Sequence, residues 1–376
     1  MDTEKKLELI KRTPTEELLT PEDLKKILNS GVKLKHYIGF EISGMIHLGS
    51  GLMAGAKIAD LQKVGVDCSV FLADWHSWIN NKLGGDLQVI QRVAVGYFKE
   101  GMKMSIKIMG GDPSKVKFIL GSELYHNNDK YWQTMIDVAK NMSVGRAKRS
   151  ITIMGREEGA DHDLAKYMYP PMQVADIYIQ GLHIAHSGMD QRKAHVVARE
   201  VGLKLKYSPL MVKGKQVKPV TLQHHLILGL QKPPVWPVPK NQLQSLWSTM
   251  KMSKSIPDSA VFIHDSEADI RRKLRKAFCP VGEVGFNPVL DWAKHIVFVC
   301  RDKLTIARPE KFGGDIEFKN YIELERAFAK NKLHPMDLKN AVAESLIEIL
   351  KPARDHFAKP KYKKMLEELQ KLKITR

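Results

Sequence analysis

Between residues 35 and 121 the spacing of apolar positions changes period several times, and that alternation is the strongest structural signal in the chain. Residues 35–40 and 68–73 are short apolar runs suited to buried strands, while 49–64 between them carries apolar residues at helical spacing. A helical stretch over 86–109 stops at Gly110-Gly111, and a further strand is predicted over 116–121. Strands alternating with helices predict right-handed crossovers and a parallel sheet, with ligands gathering at the carboxyl ends of the strands. From 124 to 166 the strand signal gives way to a helical pattern, which predicts an insertion between two halves of the sheet. The strand and helix rhythm returns at 180–185 and 194–201, then yields to a proline- and histidine-rich segment over 212–247.

After Asp265 the pattern is mainly helical, opening with Asp265-Ser266-Glu-Ala-Asp269, a cap with acids in its first turn. The first 34 residues predict short helices, one of them started by Thr20-Pro21-Glu22-Asp23. The expected organisation is a helical lead-in over 1–34, an α/β parallel-sheet domain over 35–260 with a helical insertion at 124–166, and a mainly helical domain over 261–376.

Charge adds a partner to this picture. The 60 Lys and Arg against 42 Asp and Glu give a net +18, an excess that favours polyanions. It is uneven: 351–376 carries nine basic and three acidic residues, and Arg271-Arg272-Lys273-Leu-Arg275-Lys276 is a second cluster, so phosphate contact is expected late in the chain. The amino-terminal residues hold no apolar signal core and no run of about 18 apolar residues occurs, so neither secretion nor a membrane span is expected. Cys68, Cys279 and Cys300 are far apart and lack zinc spacing, which predicts reduced thiols in a cytoplasmic protein with no zinc and no dedicated metal site.

Candidate chemistry narrows by elimination. Gly44-x4-Gly49-Ser50 has the glycine spacing of a P-loop without its lysine, and no G-x-G-x-x-G, H-E-x-x-H or paired Cys-x-x-Cys occurs. His47-Leu-Gly49 falls where the first strand gives way to a helix start, a place that favours anions, and Gly49, Gly51 and Gly55 would let a base or ribose approach the backbone. A plain turn residue with closely packed glycines would read the same way. Far downstream, Lys251-Met252-Ser253-Lys254-Ser255 puts two lysines and two hydroxyls within five residues at the seam of the two parts, enough to wrap a triphosphate. An exposed basic linker is the plainer reading of that string.

The two motifs share the order and context of class I aminoacyl-tRNA synthetases, and the chain resembles the archaeal and eukaryotic type of tyrosyl-tRNA synthetase over most of its length. The strings that carry the resemblance are Tyr37-Ile-Gly-Phe-Glu41, Leu72-Ala-Asp-Trp-His76, Tyr169-Pro-Pro-Met-Gln173-Val-Ala-Asp176, Gly188-Met-Asp-Gln191-Arg-Lys193, the KMSKS run, Lys311-Phe-Gly-Gly-Asp315 and His334-Pro-Met-Asp-Leu-Lys-Asn340. One departure stands out: Ser50 occupies the last position of the His-x-Gly-His signature.

The resemblance implies a Rossmann-like catalytic domain followed by a helical anticodon-binding domain, and ATP-dependent attachment of tyrosine to tRNA(Tyr). It implies a tyrosine site at Tyr37, Tyr169, Gln173, Asp176 and Gln191, and catalytic roles for His47, Lys251 and Lys254. ATP would be met by Gly39, His47, Gly49, Ser50, Lys251, Ser253 and Lys254, with Mg2+ arriving on the nucleotide. It implies tRNA contacts at Arg149, Arg192, Lys193, Phe312, His334 and Asp337, and a homodimer. Gln173 and Asp176 are three apart, so a helix starting after the double proline would put both on one face. A tryptophanyl-tRNA synthetase is the nearest alternative. Tyr37 with Asp176 argues against it, because an indole offers one donor and no acceptor. A non-catalytic RNA-binding relative of the same scaffold is the second alternative.

Overall fold

The computed structural model describes residues 1–155, 162–239 and 243–372. The parts of the expected insertion, proline-rich segment and helical domain at 156–161, 240–242 and 373–376 lie outside the described residues.

The centre is a six-stranded sheet built from β1 (Thr15–Leu19), β2 (Lys35–Glu41), β3 (Asp67–Ala73), β4 (Lys117–Leu120), β5 (Ile184–Gly188) and β6 (Val220–His224), in the order β1-β6-β5-β2-β3-β4. All neighbours are parallel except β1, which runs antiparallel to β6. From β2 the chain steps outward through β3 to β4, then returns to the other side of β2 as β5. The strand order therefore reverses between β2 and β5, and a crevice opens there at the carboxyl ends.

Alternation along the strands sorts the core into two faces. Ile38 and Val70 belong to one apolar cluster, with Leu52 and Ile58 of helix α3 (Leu48–Lys63); Tyr37 and Phe71 belong to the other, with Val174 and Ile177. The first cluster continues without a break into the carboxyl-terminal helices through Ile263, Leu274, Leu338 and Val342. The parts on either side of residues 257–265 thus share one core. Val261 and Ile263 bind them directly: Leu48 N donates to Val261 O at 3.0 Å and Ile263 N to Ile46 O at 3.1 Å.

The expected run from β2 to β4 is present, with the predicted helix over 86–109 completed by α4 (Val95–Ile108) and ended at Gly110, φ 82°. Four expectations are corrected. The first 34 residues hold a strand as well as helices α1 (Thr3–Lys11) and α2 (Pro21–Asn29), because Thr15–Leu19 finds an open sheet edge and pairing there overrides its helix-tolerant composition. The proline- and histidine-rich segment hides β6, whose five residues are all buried. Helix α6 (Leu164–Ile179) does not start after Pro170-Pro171 but carries both prolines inside it. Its cap is Asp163, whose carboxylate accepts the Lys166 N–H at 3.1 Å. The insertion is helical among the described residues, with α5 (Asp129–Lys140) preceding α6. Because α6 runs to Ile179 and Gly181 turns out of it at φ 62°, β5 starts at Ile184 and not near 180.

Candidate active site

Tyr37 lies in β2 with its side chain buried, two residues before Gly39, whose backbone is exposed at the mouth of the crevice. Across the sheet face, α6 supplies Tyr169, Gln173 and Asp176 from successive turns. Asp176 is 1% exposed, and burial drives its pKa well above the carboxylate range although the Tyr125 hydroxyl opposes this by donating to Oδ1 at 3.0 Å. Tyr37 feels the Asp176 charge, and burial followed by that charge pushes its phenol pKa up. The two groups expected to bind a phenol are therefore close enough to influence each other electrostatically.

At the other end of this pocket the Tyr169 hydroxyl donates to Glu41 Oε1 at 3.0 Å, and Asn80 Nδ2 donates to the same oxygen at 2.7 Å. Gln173 Nε2 approaches Gln191 Oε1 at 3.4 Å, while Gln191 Nε2 donates to Ile153 O at 2.7 Å. That orientation leaves Gln173 Oε1 buried without a partner. Glu41 was missed by sequence reasoning, although it closes the same string that begins at Tyr37. Its carboxylate also lies 3.4 Å from Lys82 Nζ.

His47 is the N-cap of α3, and Ser50 completes a reciprocal cap. His47 Nδ1 accepts the Ser50 N–H at 3.3 Å, and the Ser50 hydroxyl lies 3.3 Å from the His47 N–H and 3.1 Å from its carbonyl. The serine that breaks the signature thus has a local task through its hydroxyl, while the backbone N–H of residue 50 occupies Nδ1 and leaves the imidazole proton on Nε2. Burial, then the charges of Lys254 and Lys251, lower the His47 pKa to about 3, so the ring is neutral. Gly51 and Gly55 serve packing and not nucleotide approach: a Cβ on Gly51 would stand 2.5 Å from Ser105 Oγ, and one on Gly55 2.7 Å from Ser105 O.

The KMSKS run returns to this end of the sheet. Lys251 bridges Leu228, Met252 N donates to Ile227 O at 2.9 Å, and Phe262 bridges His47. Lys251 is ion-paired with Asp190, and Lys254 Nζ donates to Ser43 Oγ at 2.7 Å in the loop after β2. Burial, then nearby Lys82, lower the Lys254 pKa to about 8. Burial would raise Asp190, but the Lys251 charge and hydrogen bond outweigh it and hold the carboxyl below its usual range. Ser253 and Ser255 hydroxyls lie 2.9 Å apart at the exposed tip.

Beneath the loop, His225 binds Glu16 through Nδ1 at 2.9 Å and Asp291 through Nε2 at 2.8 Å, with the His295 ring stacked on it at 3.9 Å. Among the described residues His225, Asp291 and His295 are the one group of this kind close enough to share an ion. Both His225 nitrogens are already taken by carboxylates. Asp291 Oδ2 also accepts the Leu228 N–H at 2.9 Å, which fixes the segment that Lys251 bridges.

The predicted tRNA residues are scattered over the surface. Arg149 is exposed, and Lys193 Nζ donates to Arg149 O at 3.2 Å. Arg192 is engaged in a two-point ion pair with Glu17 of β1, at 2.6 and 2.9 Å. Phe312 is 61% exposed, and Arg308 ties its loop to Lys332, close to the start of helix α7 (Pro335–Phe357). His334 caps α7 with Nδ1 accepting the Met336 N–H at 3.2 Å, and Asp337 stands in its first turn. The second basic cluster is less available than its sequence suggests. Arg271 is paired with Glu344 and Glu267, Arg272 with Asp258 and Asp269, and Lys273 is buried against Asp265.

A parallel sheet with its crevice between β2 and β5, a neutral histidine at the first helix start and a KMSKS loop folded back beside it define a class I aminoacyl-tRNA synthetase. The family model for class I tRNA synthetases of the W and Y group matches residues 29–351. The tyrosine–tRNA ligase of Thermococcus sibiricus is 62% identical over 378 residues, covering 100% of both chains, and that of Thermococcus kodakarensis is 63% identical over the same span. Among solved structures, the tyrosyl-tRNA synthetase of Pyrococcus horikoshii complexed with L-tyrosine has a TM-score of 0.96 at 57% identity, covering 99% of this chain and 100% of that one. A tryptophanyl-tRNA synthetase from Aeropyrum pernix shares the fold, with a TM-score of 0.64 at 18% identity. This chain belongs to the archaeal tyrosyl-tRNA synthetase family.

Proposed function

We propose that the chain is a tyrosine–tRNA ligase whose chemistry runs through the residues gathered at the β2/β5 crevice. It joins L-tyrosine to ATP as tyrosyl adenylate with release of pyrophosphate, then transfers the tyrosyl group to the 3′-terminal adenosine of tRNA(Tyr). The observation that carries this reading is the convergence of His47, Lys251 and Lys254 beside a buried Tyr37 and Asp176 pocket.

Neither reactant of the first step needs a protein nucleophile, so rate comes from placement and from charge stabilisation at the α-phosphate. Tyr37 and Asp176 hold the phenol, while Tyr169, Gln173 and Gln191 hold the α-ammonium, for which Gln173 Oε1 is the unpartnered acceptor. His47 donates from Nε2 to the phosphate region, and the exposed backbone at Gly39 with the helix start at Gly49 and Ser50 receives ribose and adenine. Lys251, Ser253 and Lys254 take the β and γ phosphates, Lys254 after leaving Ser43. Mg2+ arriving on ATP would add charge stabilisation at the phosphates that Lys251, Ser253 and Lys254 hold.

Arg149, Arg192 and Lys193 contact the acceptor stem, with Arg192 exchanging Glu17 for phosphate. Phe312, His334 and Asp337 read the anticodon by stacking and by hydrogen bonds to base edges. The working division is a catalytic domain at 35–260, to whose sheet the residues 1–34 contribute β1, and an anticodon-binding domain at 261–376. A cytoplasmic homodimer fits as well: the described part of the insertion exposes Ile136, Val144 and Leu164, and Met168 follows just after it, apolar side chains that an interface would cover.

Pyrophosphate exchange on the purified protein tests the reading. Exchange that requires L-tyrosine is expected; exchange with L-tryptophan in its place, or none with either, would select one of the two alternatives.

A further inference from the structure

Three buried histidines without a role so far stand on the adjacent strands β2, β5 and β6, one on each. Alternation puts His36 on the face of Ile38, His186 on that of Ile184 and His224 on that of Leu222, the face that packs with α3. Their rings form one row: His36 Nε2 lies 3.1 Å from His186 Nδ1, and His186 Nε2 lies 2.8 Å from His224 Nδ1. The register carries the row diagonally toward the carboxyl ends, since His186 stands opposite Ile38 and His224 opposite Gly188 at the end of β5. There it meets Asp190. A Cβ on Gly188 would stand 2.8 Å from Asp190 Oδ1 and 3.4 Å from His224 Nε2, so both groups crowd the same bare Cα. At the opposite end of the row, His36 Nδ1 is buried with no partner.

Burial lowers His36 to about 3, His224 to about 4 and His186 well below the usual range, so each ring is neutral and carries one proton. A row of neutral imidazoles has two self-consistent arrangements. With every proton on Nδ1, His36 buries an N–H that has no acceptor, and His224 turns a bare lone pair toward the Asp190 carboxylate. With every proton on Nε2, the unpartnered end is a bare acceptor, which costs less than an orphaned donor, and His224 presents an N–H to the carboxylate. Both ends of the row favour the second arrangement. We propose that His36, His186 and His224 form a one-way hydrogen-bond chain and that His224 is a positioning residue, its Nε2–H fixing the Asp190 carboxylate on which Lys251 of the KMSKS loop docks. Without that support the loop lysine has no fixed place beside the phosphates, and ATP must order it on binding. This rests on the reading of Lys251 as a ligand of the ATP phosphates.

Nitrogen NMR on the full chain with isotope-labelled histidine reads the tautomers directly, with His36→Gln, His186→Gln and His224→Gln assigning the three rings. Protonated Nε2 and bare Nδ1 are expected on all three, and a His224 protonated on Nδ1 would overturn the chain. Pyrophosphate exchange then compares His224→Phe, His224→Gln and Lys251→Ala with wild type. His224→Phe keeps a flat buried ring and is expected to raise KM for ATP about 10-fold while KM for tyrosine stays nearly unchanged. His224→Gln, whose amide can accept from His186 and donate to Asp190, is expected to recover most of that loss. Equal shifts in both KM values, with no rescue by glutamine, would show that His224 only supports the fold and would overturn its positioning role. A KM for ATP that ignores Lys251→Ala would overturn the loop reading beneath it, whereas one that responds to Lys251→Ala but not to His224→Phe overturns the positioning role alone.

Discussion

The two ends of the crevice are prepared differently for their ligands. At the amino-acid end the polar groups are buried and held by packing, and Gln173 Oε1 makes no hydrogen bond. At the nucleotide end the cations are already engaged, Lys251 by Asp190 and Lys254 by Ser43. Under the proposed site assignment, tyrosine would fill a standing deficit, whereas ATP would displace partners that the protein supplies itself. An unsatisfied rigid pocket favours selectivity, because a wrong ligand leaves its costs in place. A pre-paired loop favours exchange, because bringing in phosphate swaps one set of charge-assisted hydrogen bonds for another.

The largest effect should come from breaking the amino-acid end. Asp176→Ala is expected to lower kcat/KM for tyrosine by about 10³-fold or more in pyrophosphate exchange, with KM for ATP nearly unchanged. At the nucleotide end, Lys254→Ala should lower kcat about 10²- to 10³-fold and leave KM for tyrosine close to wild type. The same lysine sharpens the contrast through pH. Its pKa of about 8 in the free protein means that its charge is present below that value and lost above it. KM for ATP should rise as pH climbs past 8, and Lys254→Arg should remove that rise because a guanidinium stays charged.

The base of the loop is a third target. Burial opposes the charged form of His225, but its hydrogen bonds to Asp291 and Glu16 outweigh this and raise its pKa to about 9. A group raised above its unfolded value stabilises the fold fully at lower pH and loses that contribution as pH rises through the folded value, here near 9. Asp291→Ala should cost ~3 kcal/mol in denaturant unfolding, flatten that alkaline decline and raise KM for ATP, since Leu228 loses its anchor too. The smallest change is expected from Ser50→Ala, ~1 kcal/mol of stability from the lost cap, with exchange reduced only modestly. A collapse of exchange in that variant would mean that Ser50 touches ATP directly and not only through His47.

Much of this was legible in the pattern of residues, and the failures have physical causes. The run from β2 to α4 could be read because its periods switch sharply and its glycines punctuate the ends. β1 could not, since Thr15–Leu19 has no strand pattern of its own and becomes a strand only against β6. β6 was concealed by the prolines and histidines around it, and Pro170-Pro171 looked like a helix start because proline suits the first turn. In the site, the family resemblance marked Tyr37, Gln173 and Asp176, and the KMSKS string marked the two lysines. Glu41 lay inside a quoted string, yet what distinguishes it is a hydrogen bond to Tyr169. That cannot be read from spacing. The pairing of Arg271 and Arg272 with acids brought from elsewhere in the chain was equally out of reach, so their charge looked more available than it is.

The antiparallel edge strand has a consequence for how the chain is made. β1 leaves the ribosome roughly 200 residues before β6, the strand it must pair with, has been synthesised. Until then Thr15–Leu19 has no partner, while β2, β3 and β4 can assemble as they emerge. β1, translated before every other strand of the sheet, therefore cannot join it until β6 has been made, and only then can Glu16 reach His225.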